Sequence, residues 1–187
     1  METNKKIQFT KIRDVKSPNR ANSHDAGTDF FIPEYSDQFV KDLMEKNKNN
    51  ALTYIYDGED GDDANYSLRI IVPAGEQINI PSGIKVNILD KNTYLEANNK
   101  SGIASKYHLV VGACVVDADY QGEVHLNMLN VGNKDVELVS GMKIVQFIHK
   151  YYINTDWEEI TVDEYNNLEE SDRSSGGFGS SGEKEKY

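Results

Sequence analysis

Four short segments of the 187-residue chain combine glycine, small hydroxyls and charge in ways that a β-scaffold alone does not require. Ala26-Gly27-Thr28-Asp29 sets a carboxylate just before the apolar Phe30-Phe31-Ile32. Asn99-Lys100-Ser101-Gly102-Ile103-Ala104-Ser105-Lys106 gathers backbone amides around a glycine, a hydroxyl and an ammonium, which suits a phosphate cradle. In Val115 through Glu123 an acid, Asp117, leads a tight turn, and the aromatic Tyr120 stands close by. The fourth segment begins at Arg173 and runs into Ser174-Ser175-Gly176-Gly177-Phe178-Gly179-Ser180-Ser181-Gly182. Taken singly, each has an ordinary structural use: Asp29 as a turn cap, Lys100 as a solvated loop lysine, Tyr120 as a core aromatic.

The elements expected to position these groups are short strands. Apolar and β-branched runs alternate with turn residues, most clearly at Ile78, Ile80, Ile84, Val86 and Ile88, with Pro81-Ser82-Gly83 read as a turn between them. The same period recurs in Val124, Leu126 and Met128, ahead of a turn at Gly132-Asn133. Many such runs indicate an all-β sandwich or barrel. Residues 36–48 break the pattern, placing Phe39, Val40, Leu43 and Met44 on one helical stripe behind an N-cap at Ser36 or Asp37. The Asp/Gly-rich stretch 57–63 lacks the spacing and closing Glu of a calcium loop and reads as solvated. The Gly/Ser-rich end reads as a flexible tail.

Length fits one core. A formal net charge of −11 excludes a non-specific nucleic-acid binder, which needs a broad basic surface. It also requires that any bound triphosphate be neutralised locally, by concentrated positive groups or a divalent cation. No run is apolar and long enough for a signal peptide or a membrane span, and the single cysteine, Cys114, suits a reducing cytoplasm.

In this order the segments resemble the five motifs of the all-β, trimeric deoxyuridine triphosphatase (dUTPase) family, from about residue 8 to residue 182. Ala26–Asp29 is similar to the first motif. Lys100-Ser101-Gly102 is similar to the second, where the family usually has Arg-Ser-Gly or Arg-Ser-Ser. Val116–Gly122 resembles the third, Gly141–Gln146 the fourth, and Arg173–Gly182 the fifth. The resemblance implies an antiparallel jelly-roll-like β-barrel or sandwich over residues 1–171, with a helical insertion at about 34–68. Residues 172–187 would form a flexible arm that closes the site. It implies hydrolysis of dUTP to dUMP and pyrophosphate, limiting dUTP and supplying dUMP for dTMP synthesis. Sites would lie at the subunit boundaries of a homotrimer.

The resemblance also assigns roles. Asp117 would position and deprotonate the attacking water, and Asp29 would assist catalysis by touching the water shell of a Mg2+ carried on the triphosphate. Lys100, Ser101, Gly102, Gln146 and Arg173 would hold phosphates. The hairpin Val110–Val116, including Val111, Val115 and Val116, would read uracil through its backbone. Tyr120 would lie under the deoxyribose and exclude a 2′-hydroxyl. Phe178, with Gly179 and Ser180 beside it, would stack on the base.

Three departures bear on this reading: Lys100 for the usual Arg, Cys114 for a common Gly, and Val111 where some members carry a base-contacting Asn. Two alternatives compete. A dCTP deaminase of the same fold needs a catalytic Glu where this chain has Asn127, and an amide cannot shuttle protons. A nucleotide-binding scaffold that acts through a protein partner would use the 34–68 insertion. Its helix is expected instead to dock on the β-domain, with Tyr54, Ile55 and Tyr56 as an added strand and the loop 57–63 in solvent.

Overall fold

The computed structural model describes residues 6–57 and 67–169. The chain divides into two compact units, residues 1–153 and 154–187. The expected boundary at 171/172 therefore falls inside the second unit. Within the described part of that unit no strand forms, and a five-residue helix (Val162–Asn166) is closed by a capping box between Thr161 and Glu164.

Among its described residues the first unit holds eleven strands in three sheets, all paired antiparallel. One sheet is ordered β1 (Ile7–Lys11), β5 (Gln77–Ile88), β9 (Glu123–Asn130), β7 (Leu109–Val111). The second is ordered β2 (Thr28–Phe31), β11 (Lys143–Tyr151), β6 (Thr93–Asn99), β8 (Val115–Val116). A third contains β10 (Val136–Leu138), β4 (Ser67–Val72) and β3 (Thr53–Asp57). Val124, Leu126 and Met128 of β9 all face a fully buried core, as their period of two requires. Thr93, Leu95 and Ala97 of β6 are buried in the same alternating way.

Pro81-Ser82-Gly83 does not turn the chain. It is a bulge inside the continuous β5, where the register against β9 slips between Pro81 and Lys85. Gly83 sits at φ +73°, a conformation that side chains with a Cβ rarely adopt, and the Ser82 hydroxyl accepts the Ile84 amide. The strand continues through the bulge, with Pro81 paired to His125 before it and Lys85 to Glu123 after it.

The inserted helix α1 (Asp37–Lys46) is capped by Ser36, whose hydroxyl accepts from the Phe39 amide. Phe39 and Leu43 are fully buried and Val40 packs half-buried against the core, while Met44 stays exposed, so three of the four expected stripe residues meet the core. β3 pairs with β4 from Thr53↔Ile71 to Asp57↔Ser67, which is the added strand expected at Tyr54–Tyr56. The insertion thus packs on its own domain. Apart from Asp57, the acidic loop lies outside the described residues.

Candidate active site

Asp117 follows β8 and opens a tight turn in which the Tyr120 amide donates to the Asp117 carbonyl at 3.1 Å. Lys91 holds this turn from outside, through the Ala118 carbonyl at 2.8 Å and the Asp119 carboxylate at 2.9 Å. The Asp117 side chain is exposed and meets no hydrogen-bond partner among the described residues. Tyr120 is not a core aromatic: it is 44% exposed, and its hydroxyl donates to the Glu123 carbonyl at 2.9 Å. Gly122 makes this position available, because a Cβ there would come within 2.3 Å of the tyrosine oxygen.

Asp117 and Tyr120 border a cavity of about 290 Å³, whose wall also includes the bend Ala113–Val116, Asn127 and His125. Burial pushes the His125 imidazolium down, against the raising effect of the Glu123 carbonyl, so the ring is neutral. Its Nδ1 donates to that carbonyl at 2.8 Å, which leaves Nε2 as a buried acceptor without a partner among the described residues. Lys46, from the end of the inserted helix, and Asn79 complete the wall. Asn47, which caps that helix, exchanges two hydrogen bonds with the Asn79 backbone, at 2.9 and 2.8 Å. Arg13 ties Asp42 of the helix to Glu123, at 2.6 and 2.8 Å. Sequence reasoning missed Lys46, Asn79, His125 and the placement of Asn127 on this wall. Only the fold shows that the insertion reaches it.

The expected hairpin at 110–116 is built differently. β7 pairs with β9 and β8 pairs with β6, so the two short strands lie in different sheets and the bend Gly112–Cys114 crosses between them. Each short strand is taken up by a longer neighbour. The Val111 amide donates to Asn99 Oδ1 at 2.7 Å, the Gly112 amide to the Asn127 carbonyl at 3.1 Å, and the Ala113 amide to Asn127 Oδ1 at 2.9 Å. Cys114 is exposed, and its carbonyl accepts from Ala97. Val115 is exposed and Val116 half-buried opposite Leu95.

The second cluster gathers around Asp29, 4% exposed on β2. Its two carboxylate oxygens are held by Lys100 and by Lys143, the latter at 2.8 Å. Burial pushes the Asp29 carboxyl up, but the two ammonium groups outweigh it and hold it below the usual carboxylate range. Two lysines, and not open water, thus face the group expected to touch a metal's water shell. Two ammoniums against one carboxylate leave a net positive site. Lys143 was not singled out from the sequence. Lys100 stands just ahead of helix α2 (Ser101–Tyr107), whose exposed first residues Ser101 and Gly102 offer amides with no carbonyl partner inside the helix. Gln146 lies opposite Asp29 and Asn98, and its amide donates to the Asn99 carbonyl at 2.7 Å.

The two clusters do not meet within the protomer. Val116 pairs with Leu95, so Asp117 lies level with Tyr94, while Lys100 follows the other end of β6. At about 3.3 Å per residue, six residues of strand separate them by roughly 20 Å. Among the described residues no group of three or more His, Cys, Asp or Glu is placed to hold a metal ion. Arg173, Phe178, Gly179 and Ser180 lie outside the described residues.

An antiparallel jelly-roll-like fold that sets a carboxylate and an aromatic beside a small cavity, and two lysines of β11 and the α2 start around a buried carboxylate, defines an all-β protein with a positive cluster suited to phosphate. The dUTPase family model matches residues 47–182, a span that begins after the first motif. The deoxyuridine 5′-triphosphate nucleotidohydrolase of Candida albicans is 38% identical over 111 residues, covering 59% of this chain and 67% of that protein. Its counterpart in Candida glabrata is 36% identical over 122 residues, covering 65% and 81%. Among solved structures, a mutant dUTPase of Staphylococcus bacteriophage 80alpha with dUpNHpp matches with a TM-score of 0.66 at 19% identity, over 96% of this chain and 99% of that one. A mutant dUTPase of phage phi11 of S. aureus, described as coordinating a structural Mg(II) ion, matches with a TM-score of 0.59 at 15% identity, over 83% and 96%. The chain belongs to the dUTPase family.

Proposed function

We propose that this chain is a dUTP diphosphatase, hydrolysing dUTP to dUMP and pyrophosphate with a water activated by Asp117. The observation that carries the mechanism is the exposed Asp117 carboxylate on the rim of the cavity, beside Tyr120. A carboxylate is a weak base near neutral pH, so its contribution is chiefly to orient the water and accept its proton as the oxygen attacks phosphorus. Tyr120, fixed by its bond to Glu123, supports the deoxyribose and leaves no room for a 2′-hydroxyl. Lys100 and Lys143, steered by Asp29, take phosphate charge together with the Ser101 and Gly102 amides.

The described residues do not form a protein cage for magnesium, and both Asp29 oxygens are engaged by ammoniums. Magnesium would be carried on the triphosphate and keep most of its waters, as its reluctance to dehydrate implies, with Lys100 and Lys143 sharing the remaining phosphate charge. The separation of roughly 20 Å along β6 supports a site assembled from more than one copy. A homotrimer meets this need, with the arm 172–187 bringing Arg173 to the phosphates and Phe178 to the base. Exposed Ile153, Val162 and Trp157, the last at 95%, add apolar surface suited to burial in an assembly. Among the described residues no helix is long and apolar enough to cross a membrane.

The test is pyrophosphate release from dUTP, dCTP, dTTP and UTP, with magnesium and with EDTA. Rapid release from dUTP alone, suppressed by EDTA, is expected. Conversion of dCTP to dUTP would establish a deaminase instead.

A further inference from the structure

The bend that borders the cavity has three of its N–H donors turned inward. The Val111, Gly112 and Ala113 amides are all taken within the protomer, two of them by Asn127. The Ala113 N–H also settles which way the Asn127 carboxamide points, since a donor must meet Oδ1 and not Nδ2. Nδ2 is then the outward end of the group. It carries two N–H donors, meets no partner among the described residues, and is not among the buried unsatisfied atoms, so it is open to the cavity that Asn127 lines.

Tyr120 bonds Glu123 at the start of β9, and Asn127 lies four residues further along the same strand. For a deoxynucleoside whose sugar rested on Tyr120, the edge of the base remote from the sugar is the one that could reach Asn127 across the cavity both residues line. In a pyrimidine that edge carries position 4, a carbonyl acceptor in uracil and an amino donor in cytosine. We infer that Asn127 is a specificity-determining residue, whose Nδ2 donates to the 4-carbonyl of uracil and meets the 4-amino group of cytosine as donor against donor. The inference rests on the proposed function, in that it takes the cavity to hold the base of dUTP.

Asn127→Asp separates this role from a merely structural one. The carboxylate still accepts the Ala113 amide, so the bend keeps its anchor, but the donors are gone and an acceptor stands in their place. The measurement is kcat/KM for dUTP, for dCTP and for the dUTP analogue lacking the 4-oxygen (a pyrimidin-2-one deoxynucleotide), with the thermal midpoint followed alongside. The ratio of dUTP to dCTP should fall about 100-fold in the variant, the scale of a lost buried pairing compounded by a new attraction. Wild type should disfavour the 4-deoxy analogue by at least about tenfold, and the variant should not. The analogue also lacks the N3 proton, so the part played by Asn127 is read from the difference between wild type and variant, while wild-type indifference to the analogue overturns the inference even if the variant folds poorly. An unchanged ratio, an equal fall for both substrates, or wild-type indifference to the 4-oxygen would overturn the inference while leaving dUTP hydrolysis standing. Absence of dUTP hydrolysis by wild type would overturn the function and this inference together.

Discussion

Replacing Asp29 with Asn removes the charge from a nearly isosteric side chain, which isolates what the two lysines gain from it. A pair of unit charges about 3 Å apart at an effective dielectric near 20 attracts by roughly 5 kcal/mol before desolvation is counted. Breaking a buried pair costs about 3–5 kcal/mol. The Asp29 side chain is buried, but that of Lys143 is about half exposed and can turn to water once released, so most of its share is recovered by solvation. Lys100, more enclosed, recovers less. A loss of about 1–3 kcal/mol at pH 7 follows, and each kcal/mol is worth roughly 2–4 °C in a chain of this size.

The pH dependence gives the sharper check. Because the native Asp29 carboxyl is held below its unfolded value near about 4, its stabilisation is present above that value and lost as pH falls through the native one. Urea unfolding of wild type and Asp29→Asn should therefore differ at pH 7 and converge as the pH drops below about 4. A gap of the same size at both ends of the range would mean that Asp29 acts through packing and not charge. No gap at pH 7 would mean that the ion pairs contribute nothing.

Leu43→Ala should lower stability by about 2–5 kcal/mol because that side chain is fully buried under α1, whereas Met44→Ala on the exposed side should change it little; paired thermal melts decide this. Gly122→Ala would put a Cβ 2.3 Å from the Tyr120 oxygen and push the ring off its carbonyl, so affinity for a non-hydrolysable dUTP analogue should weaken about tenfold with a small change in melting. Removing residues 172–187 should leave the oligomer and its thermal midpoint in place while turnover collapses, as sedimentation and a pyrophosphate assay would show. Dissociation to monomers would make the arm structural.

Strand β9 was legible because Val124, Leu126 and Met128 alternate with polar neighbours, and a half-buried strand has no other period. The helix α1 was legible from its cap and stripe, and the turn at Asp117 from its local composition. What escaped depends on register. Asp29 and Lys143 are 114 residues apart and meet only because β2 lies beside β11. In the sequence Asn127 stands out only as the residue where a deaminase needs Glu, and its hold on the bend shows only once β7 lies against β9. Lys46 looks like the solvated end of a surface helix, and only the clamp between Asn47 and Asn79 sets it at the cavity. The bulge at Gly83 has the composition of a turn, and pairing on both sides keeps it in the strand.

The central claim is that Asp117 serves the attacking water and not the fold. Its side chain is exposed and makes no hydrogen bond to a described residue, so Asp117→Asn should cost almost nothing in stability. Steady-state pyrophosphate release from dUTP, with binding of a non-hydrolysable dUTP analogue measured on the same protein, tests this most directly. The account predicts a fall in kcat of about two orders of magnitude or more with affinity for the analogue retained. Turnover close to wild type would contradict it and place the base on another residue.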